Sequence, residues 1–372
     1  MKKYDVAAFV WPSYTGDEPR SRIFWPEGYG EWQTVRTSVP SYPEQTWPRR
    51  PLWGYVNEAD PYVMEMELEA ASDHGVNVFI YDWYWYDGRP FLEQCLNNGY
   101  LKARNNHKVK FFLMWANHTA TSMWHRATSC DFTPIWEGAV DRKTFDGIVK
   151  RTIESYFSHP SYYKINGKPV YMLYEIPNFV NGLGGVENAK AALQYFREET
   201  KKAGFPDLVL LVSIRNQEYQ AEMLDEETDI MTFINTAGFD GVTHYNFVDF
   251  AEMNRSYPEI LKDVETEWKR IDEVCVPQLY PNISLGWDNT IRFTSVKRKR
   301  LCLEDTPENI EKGCKLAKNY VDTHPDMEAP LIVVNSWNEW TEGSYLHPDD
   351  RYGYGHLQAF KRVFLDQDEE NN

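Results

Sequence analysis

The sequence is poor in cysteine, in positive charge and in long apolar runs. Its five cysteines among 372 residues are an odd number without CxxC spacing, which argues against a disulfide framework and against a cysteine-rich zinc site. Lys and Arg number 39 against 56 Asp and Glu, a net charge of −17, so we expect no nucleic acid and no anionic membrane surface as a partner. No stretch of about 18 apolar residues occurs, so we expect no membrane insertion.

The first residues, MKKYDVAAFVWPSY, combine two lysines with a short apolar run. A signal peptide needs a longer apolar core and a small-residue cleavage site. We therefore interpret this segment as the first strand of the fold. The sequence as written predicts a cytoplasmic protein, or a periplasmic one if a leader has been removed.

Aromatic residues are the abundant class, at 15% of the chain with 14 Trp. Some of them fill the core, but a buried indole N–H needs a partner, so an excess of Trp and Tyr at loop ends is typical of platforms for sugar rings. The connection from Pro12 to Asp60 is unusually long and includes Trp47-Pro48-Arg49-Arg50-Pro51-Leu52-Trp53. Long loops are often functional, and we expect this one to form a wall of a substrate cleft.

Strand and helix patterns alternate along the chain. Eight apolar segments predict strands, at Val6–Trp11, Val76–Tyr81, Val109–Trp115, Pro169–Tyr174, Leu208–Ile214, Ile230–Ile234, Cys275–Leu279 and Leu331–Trp337. The clearest helical patterns lie at Tyr62–His74, Asp141–Ser158, Val186–Ala203, Ser256–Val274 and Pro307–His324.

Near-continuous apolar strands separated by helices predict an α/β fold, a single (β/α)8 TIM barrel with a long aromatic-rich first βα loop. We place this catalytic domain at residues 1–365, followed by a disordered acidic tail at residues 366–372. An open doubly wound sheet is the alternative. Such a sheet often has a glycine-rich loop after its first strand, where this chain has Trp11-Pro12-Ser13-Tyr14.

Polar and aromatic residues follow seven of the predicted strands. In a barrel these strand ends converge on one rim, where barrel enzymes place their chemistry. The segments are Asp82-Trp83-Tyr84-Trp85, Trp115-Ala116-Asn117-His118, Tyr174-Glu175, Arg215-Asn216, Asn235-Thr236, Trp287-Asp288-Asn289 and Trp337-Asn338-Glu339-Trp340.

Two glutamates follow the last predicted strand. Strand alternation puts Asn335, Trp337 and Glu339 on one face, and a turn beginning near Trp340 would bring Glu342 back beside Glu339. Two carboxyl groups at a barrel mouth can divide acid and base roles, because burial and mutual repulsion push their pKa values apart. The alternative is a surface loop with two solvated glutamates, which the flanking aromatic residues disfavour.

The segment NSWNEWTEGSYL, residues 335–346, is followed by Pro348-Asp349 and closely resembles the signature of the bacterial WbsX-type family, often called glycosyltransferases. It also resembles the related glycoside hydrolase family 99, the endo-mannosidases. Further segments over most of the chain are similar to family motifs, namely Trp115-Ala116-Asn117, Asn166-Gly167-Lys168-Pro169, Gly286-Trp287-Asp288-Asn289-Thr290 and Gly353-Tyr354-Gly355-His356-Leu357.

The resemblance implies a (β/α)8 barrel, a reaction without a metal or other cofactor, and retention at the anomeric carbon. In the implied route, the substrate's own 2-hydroxyl attacks the anomeric carbon. Glu339 would deprotonate or hold that hydroxyl, and Glu342 would protonate the leaving oxygen and later activate water. An ordinary retaining hydrolase differs, because there one carboxylate attacks directly. The expected partner is an oligosaccharide or polysaccharide with a mannose-configured or related 1,2-trans sugar.

The chain departs from the family pattern at three places. The family often has Glu where this chain has His118 and His347, and often ends its second strand with a His that is missing here. These departures leave the catalytic pair intact and leave the substrate open. The predicted substrate contacts are Asp82, Trp83, Trp85, Trp115, Asn117, His118, Glu175, Trp287, Asp288, Trp337, Asn338, Tyr345 and His347.

Two other functions compete with a glycoside hydrolase. A glycosyltransferase in bacterial polysaccharide assembly would need a diphosphate site, from a DxD-type metal motif or a helix N-terminus with basic residues, and Asp349-Asp350-Arg351 is a poor candidate. A non-catalytic sugar-binding protein would keep the aromatic residues but would tolerate loss of either glutamate, and both are present.

Overall fold

A barrel of eight parallel strands forms the centre of the protein. The computed structural model describes residues 4–42, 45, 49–293 and 300–366. The strands are β1 (Asp5–Val10), β2 (Val78–Tyr86), β3 (Lys110–Trp115), β4 (Lys168–Leu173), β5 (Val209–Ile214), β6 (Gly241–His244), β7 (Gln278–Leu279 continuing as Asn282–Ser284) and β8 (Leu331–Asn335). Consecutive strands pair in parallel, so the predicted α/β barrel is confirmed.

Strand β7 closes the barrel, because its two segments pair with different neighbouring strands. Gln278–Leu279 pairs with β6, whereas Asn282–Ser284 pairs with β8, which itself pairs with β1. The interruption contains Pro281, and proline has no N–H to donate to a neighbouring strand. The ring of strands is therefore complete, and its carboxyl ends open on one rim.

Ten α-helices occur among the described residues, most of them outside the barrel. They are α1 (Trp32–Thr37), α2 (Pro61–Asp73), α3 (Arg142–Thr152), α4 (Ile176–Leu183), α5 (Val186–Lys202), α6 (Gln217–Gln220), α7 (Ile230–Thr236), α8 (Tyr257–Val274), α9 (Pro307–Thr323) and α10 (Gly355–Phe364). Short 3₁₀ or π turns lie at Pro19–Ile23, Cys95–Gly99, Tyr100–Lys102, Ser122–Trp124, Arg126–Thr128, Ile153–Phe157, Phe247–Asp249 and Trp340–Glu342. None of these helices is both long and apolar enough to cross a membrane.

Several short strands pair with barrel strands or with each other in the loops. They join Arg89–Phe91 to β2, Lys164–Ile165 to β4, Ala120–Thr121 to Pro134–Trp136, Arg255–Ser256 to Cys302–Leu303, and Asn338–Glu339 to Ser344–Tyr345. The last pair lies directly after β8 and carries the glutamates predicted to be catalytic.

The strand predicted at Ile230–Ile234 is wrong, because these residues form helix α7. Asp229 caps the helix by accepting a hydrogen bond from the backbone N–H of Thr232, and Ile230, Phe233 and Ile234 are buried. Their spacing fits one helix face, and a five-residue apolar run does not distinguish a strand from a buried helix. The sixth strand is Gly241–His244, so Asn235-Thr236 is not a strand end.

The described part of the first βα connection packs against the carboxyl end of the barrel. It contains α1, and its residues Phe24, Trp25 and Trp32 are at most 1% exposed. The residues Trp47 and Pro48 of its aromatic segment lie outside the described residues, as does the predicted acidic tail beyond Asp366.

Candidate active site

A hairpin after β8 positions both predicted catalytic glutamates. Asn338–Glu339 pairs antiparallel with Ser344–Tyr345, and the connecting turn is a 3₁₀ turn at Trp340–Glu342. Gly343 has φ 68°, a left-handed conformation that glycine adopts without steric cost. The turn predicted near Trp340 is therefore present, and it returns Glu342 toward Glu339.

One guanidinium contacts both carboxyl groups. Arg292 Nη1 lies 2.9 Å from Glu342 Oε1, and Arg292 Nη2 lies 3.3 Å from Glu339 Oε2. The Arg292 side chain is 6% exposed, and its Nη2 also donates to Thr341 Oγ1 at 2.7 Å. A rigid fork of N–H donors holds the two glutamates at one place.

The first βα connection contributes a third carboxyl group to this cluster. Glu31 Oε1 lies 3.4 Å from Arg292 Nε and accepts from Thr341 Oγ1 at 3.2 Å. Its other oxygen, Oε2, accepts from the indole N–H of Trp11 at 2.5 Å. Glu31 is fully buried, and its contacts help to orient Arg292 through the Nε atom, which neither Glu339 nor Glu342 contacts.

Glu339 and Glu342 line a cavity at the barrel mouth that is open to solvent. The remaining lining residues are Trp11, Asp82, Tyr84, Met114, Ala116, His118, Met123, Trp124, Tyr174, Arg215, Tyr245 and Arg292. Aromatic rings and ionisable groups therefore share one concave surface.

Burial shifts the acid–base properties of the two glutamates. Burial raises the pKa of Glu342 to about 7, although Arg292 opposes the shift. Burial and then the charge of Glu342 raise the pKa of Glu339 well above its ordinary value. Burial alone would lower the pKa of Arg292, but Glu31, Glu339 and Glu342 raise it, so the guanidinium stays charged. The carboxyl pair can thus hold a proton near neutral pH, as one acid and one base require.

Asp82 and His118 add two polar groups to the cavity. Tyr245 donates its hydroxyl to Asp82 Oδ2 at 3.3 Å, while the buried Asp82 Oδ1 has no partner among the described residues. Burial lowers the pKa of His118 to about 4, so its imidazole is neutral at neutral pH. Because His118 Nδ1 faces the carbonyl oxygen of Thr119 at 3.1 Å, Nδ1 donates and Nε2 is left as an acceptor.

Strand alternation separates Asp82 from the tryptophans beside it. Asp82 and Tyr84 line the cavity, and successive strand residues point to opposite faces. Trp83 accordingly points away and donates its indole N–H to Glu93 Oε1 at 2.7 Å. Trp85 lines a separate groove together with Trp136.

Three more of the aromatic residues predicted to contact substrate lie in the core, outside the cavity. Trp115 packs on the Phe145 ring at 6.0 Å and is 1% exposed. Trp337 is fully buried and donates its indole N–H to Glu67. Tyr345 stacks on Trp340 with ring centroids 3.8 Å apart.

The polar candidates of strands β3, β4 and β8 mainly hold loops together. Asn117 donates its side-chain N–H to the carbonyl of Glu175 and accepts from the backbone N–H of Glu175. Asn338 makes the equivalent pair of bonds with the backbone of Trp11, at 2.7 and 2.9 Å. His347 is 3% exposed and lies behind the hairpin.

Trp287 and Asp288 line a second pocket on the other side of the hairpin, together with Gly343. The backbone N–H of Asp288 donates to the carbonyl oxygen of Glu342 at 2.8 Å. The loop after β7 thus supports the turn that carries Glu342, and Asp288 contacts Gln45 rather than the cavity.

Sequence reasoning missed the cavity-lining residues Arg292, Trp124 and Tyr245. It also missed Glu31, which is buried outside the cavity and contacts Arg292. The parity of β2 could have indicated Tyr84 in place of Trp83, because Tyr84 shares a face with Asp82. Arg292 and Glu31 come from long loops, and no local pattern indicates where such residues lie. Among the described residues, one group of acidic and histidine side chains is close enough to hold a metal ion, Glu58, Glu67 and His347, and it does not line the cavity.

Comparisons with known proteins agree on the type of fold. The chain aligns over its whole length with the family 99 endo-alpha-mannosidase of Bacteroides thetaiotaomicron, at 15% identity, covering 98% of that chain with a TM-score of 0.58. A structure described as a glycoside hydrolase-like protein aligns with 98% of this chain and 94% of its own, at 15% identity and a TM-score of 0.64. At this identity the likeness concerns the fold alone.

Sequence comparisons identify the family to which the chain belongs. Protein WxcX of Xanthomonas campestris pv. campestris is 24% identical over 377 residues, which cover 96% of this chain and 49% of WxcX. The chain therefore spans about half the length of the curated relatives it matches. A family model described as glycosyltransferase WbsX matches residues 6–360. Because that match covers nearly all of the chain, the protein belongs to the WbsX family.

Proposed function

We propose that this protein is a retaining glycoside hydrolase that acts on a mannose-configured or related 1,2-trans sugar. The observation that carries the proposal is the pair of glutamates on one hairpin, both in contact with Arg292. Glu339 is buried, and the Glu342 side chain is 15% exposed. Two carboxyl groups with shifted pKa values in a cavity lined by aromatic rings suit acid–base chemistry at a glycosidic bond.

The two glutamates have different roles in this proposal. Glu342 protonates the leaving oxygen and later activates water, and its pKa of about 7 is near the value at which one group serves as both acid and base. Glu339 holds or deprotonates the substrate 2-hydroxyl. That hydroxyl oxygen then attacks the anomeric carbon as the bond from this carbon to the leaving oxygen breaks. Water deprotonated by Glu342 next attacks the same carbon, the bond to the 2-oxygen breaks, and Glu339 returns the proton to that oxygen. Neither glutamate needs to bond to the sugar.

The configuration of the substrate follows from the proposed attack by the 2-hydroxyl. A 2-hydroxyl can attack from behind only when it lies anti to the leaving group. In an α-mannose-configured ring both bonds are axial, so the ring needs little distortion. In an α-glucose-configured ring the 2-hydroxyl is gauche to the leaving oxygen, and attack would require severe distortion.

The family's description favours a second candidate, a glycosyltransferase. A nucleotide-sugar donor would need cationic groups for its diphosphate. Two arginines line the cavity, but Arg292 already contacts three carboxyl groups, which supports hydrolysis over diphosphate binding. This argument applies only to donors with a diphosphate group, and not to a lipid- or sugar-linked donor that lacks one.

The deciding experiment is a product screen against α-linked oligosaccharides of mannose and glucose configuration, with early proton NMR of the released sugar. We expect cleavage of a 1,2-trans substrate with retained configuration. An inverted first product would contradict both retaining routes and make the pair the acid and base of an inverting enzyme. Turnover only with a nucleotide sugar and an acceptor would instead support the transferase.

A further inference from the structure

A pair of fully buried carboxyl groups lies next to the hairpin that carries Glu339 and Glu342. Glu58, just before helix α2, and Glu67, on that helix, are fully buried, and His347 beyond the hairpin is 3% exposed. One ligand-type atom from each of the three side chains lies within 4.8 Å of the others. The proposed reaction uses none of them.

These side chains bond to three residues that flank Glu339 in the chain, two of them in the hairpin and one just before it. Asn338 donates its amide to both oxygens of Glu58, at 2.9 and 3.0 Å. Trp337 donates its indole N–H to Glu67 Oε2 at 3.0 Å. Trp340 donates its indole N–H to His347 Nδ1 at 3.3 Å. Glu339 lies between these anchored residues in the chain.

The described basic side chains leave the charge of the cluster unbalanced. No described Lys or Arg forms an ion pair with Glu58 or Glu67, and the closest basic group is His347 Nε2, 3.6 Å from Glu67 Oε2. An indole N–H can only donate, so His347 Nδ1 must accept from Trp340. A ring proton then lies on Nε2, which is buried, 3.6 Å from Glu67 Oε2 and without a hydrogen-bond partner among the described residues.

The same tautomer disfavours a metal ion. A metal at His347 Nε2 needs that nitrogen deprotonated, and Nδ1 already accepts from Trp340, so the ring would have to become an anion. Ligating histidines normally donate from their second nitrogen. Glu67 Oε1 is buried and has no hydrogen-bond partner among the described residues, and an ionised oxygen in that setting is costly.

We propose that Glu58 and Glu67 together retain one proton in the folded protein and act as positioning residues for the hairpin that carries Glu339 and Glu342. A single negative charge then accepts the hydrogen bonds from Trp337 and Asn338. The role in positioning rests on the proposed function, whereas the retained proton does not. The other titratable groups that face the pair are Cys95, whose Sγ lies 3.7 Å from Glu58 Oε2, Tyr14, Tyr81 and His347.

Stability against pH tests the retained proton without any substrate. Burial and the neighbouring Glu67 raise the pKa of Glu58. A raised carboxyl pKa favours the protonated form in the folded protein, so stability falls as the pH rises above the ordinary carboxyl value of about 4. Glu58→Gln mimics the neutral carboxyl group. As the pH rises from acidic to neutral, we expect the free energy of unfolding, measured by chemical denaturation, to fall less in this variant than in the wild type.

Glu267→Gln is the matched control, because it removes a buried carboxyl with the opposite behaviour. Burial alone would raise the pKa of Glu267, but hydrogen bonds and charges from Arg270 and His244 lower it to about 2. The ionised carboxylate therefore stabilises the folded protein at pH values above the pKa of the unfolded chain. Glu267→Gln should lose its stability relative to the wild type as the pH rises. An unchanged pH dependence in Glu58→Gln would overturn the proposal. One equivalent of a divalent metal in the purified protein, lost in Glu67→Gln, would show that a cation balances the charge instead.

Kinetics test the positioning role. Glu67→Leu removes the acceptor of Trp337 and should lower kcat at least tenfold with little change in KM, because no cavity residue is altered. Glu67→Gln keeps an acceptor and should recover most of the loss. Equal kcat in Glu67→Leu and the wild type would contradict the positioning role, and the stability result would still stand. If Glu67→Leu does not fold, Glu58→Leu, which removes the acceptor of Asn338, provides the same comparison.

Discussion

Arg292 and Glu342 form a charged contact of 2.9 Å between Nη1 and Oε1. The same guanidinium reaches Glu339 at 3.3 Å and Glu31 at 3.4 Å. One buried cation thus faces three carboxyl groups, and its positive charge favours the ionised forms of Glu339 and Glu342. The contact therefore controls the pH at which the proposed acid–base pair changes its protonation state.

Replacing Arg292 with Met should move the activity profile to higher pH. Arg292 lowers the pKa of both Glu339 and Glu342, so its removal raises both values and displaces both limbs of the profile upward. The measurement is kcat/KM against pH. Arg215→Met is the control, because Arg215 lines the same cavity without an ion pair to either glutamate. A profile that stays in place in Arg292→Met would contradict this role.

Exchanging each glutamate for Gln should separate their roles. We expect kcat/KM to fall by about 10²–10⁴-fold or more for either change on a natural glycoside. On an aryl glycoside with a good leaving group, Glu342→Gln should keep much of the first step, because that bond needs little protonation. Glu339→Gln should stay impaired on both substrates. Near wild-type activity of either variant on a true substrate would show that the site lies elsewhere.

The substrate's 2-hydroxyl should be essential for cleavage. A 2-deoxy or 2-O-methyl analogue should bind, since the aromatic cavity and Asp82 remain, but it should not be cleaved. Inhibition constants and product release measure the two properties separately. Rapid cleavage of the 2-deoxy analogue would remove the hydroxyl from the mechanism and make Glu339 a direct nucleophile.

Asp82 should contribute to sugar binding through its unpaired oxygen. Asp82 Oδ1 is buried without a partner among the described residues. Because burial raises the pKa of Asp82 well above its ordinary value, we take the figure for an uncharged hydrogen bond, about 0.5–1.5 kcal/mol. We therefore expect Asp82→Asn to lower kcat/KM by roughly twofold to tenfold. Trp83→Phe is the control, since Trp83 faces away from the cavity, and it should change stability rather than kcat/KM.

Activity should not depend on added Mn²⁺, Mg²⁺ or a nucleotide. Every role in the proposed reaction is filled by carboxyl groups and the substrate itself. Assays with a chelator should therefore match assays without one. Restoration of activity by Mn²⁺ together with a nucleotide sugar would favour transfer over hydrolysis.

Local sequence pattern was sufficient for most of the barrel. Seven of the strands coincide with apolar segments predicted from the sequence, and the long helices begin and end within a few residues of their predicted bounds. The exception, Ile230–Thr236, is a short apolar run whose N-cap at Asp229 outweighs the strand propensity of its isoleucines. The sixth strand, Gly241–His244, is too short and too mixed in composition for its pattern to stand out.

Local sequence was enough to establish the barrel, the family and the turn that returns Glu342 toward Glu339, because periodicity, turn residues and motif spacing are properties of neighbouring residues. Which side chains meet at the site depends on the tertiary structure. Strand parity directs Asp82 inward and Trp83 outward, and this depends on which face of β2 the barrel encloses. Arg292 and Glu31 are 261 positions apart in the sequence, and they meet because loops after different strands converge on one rim.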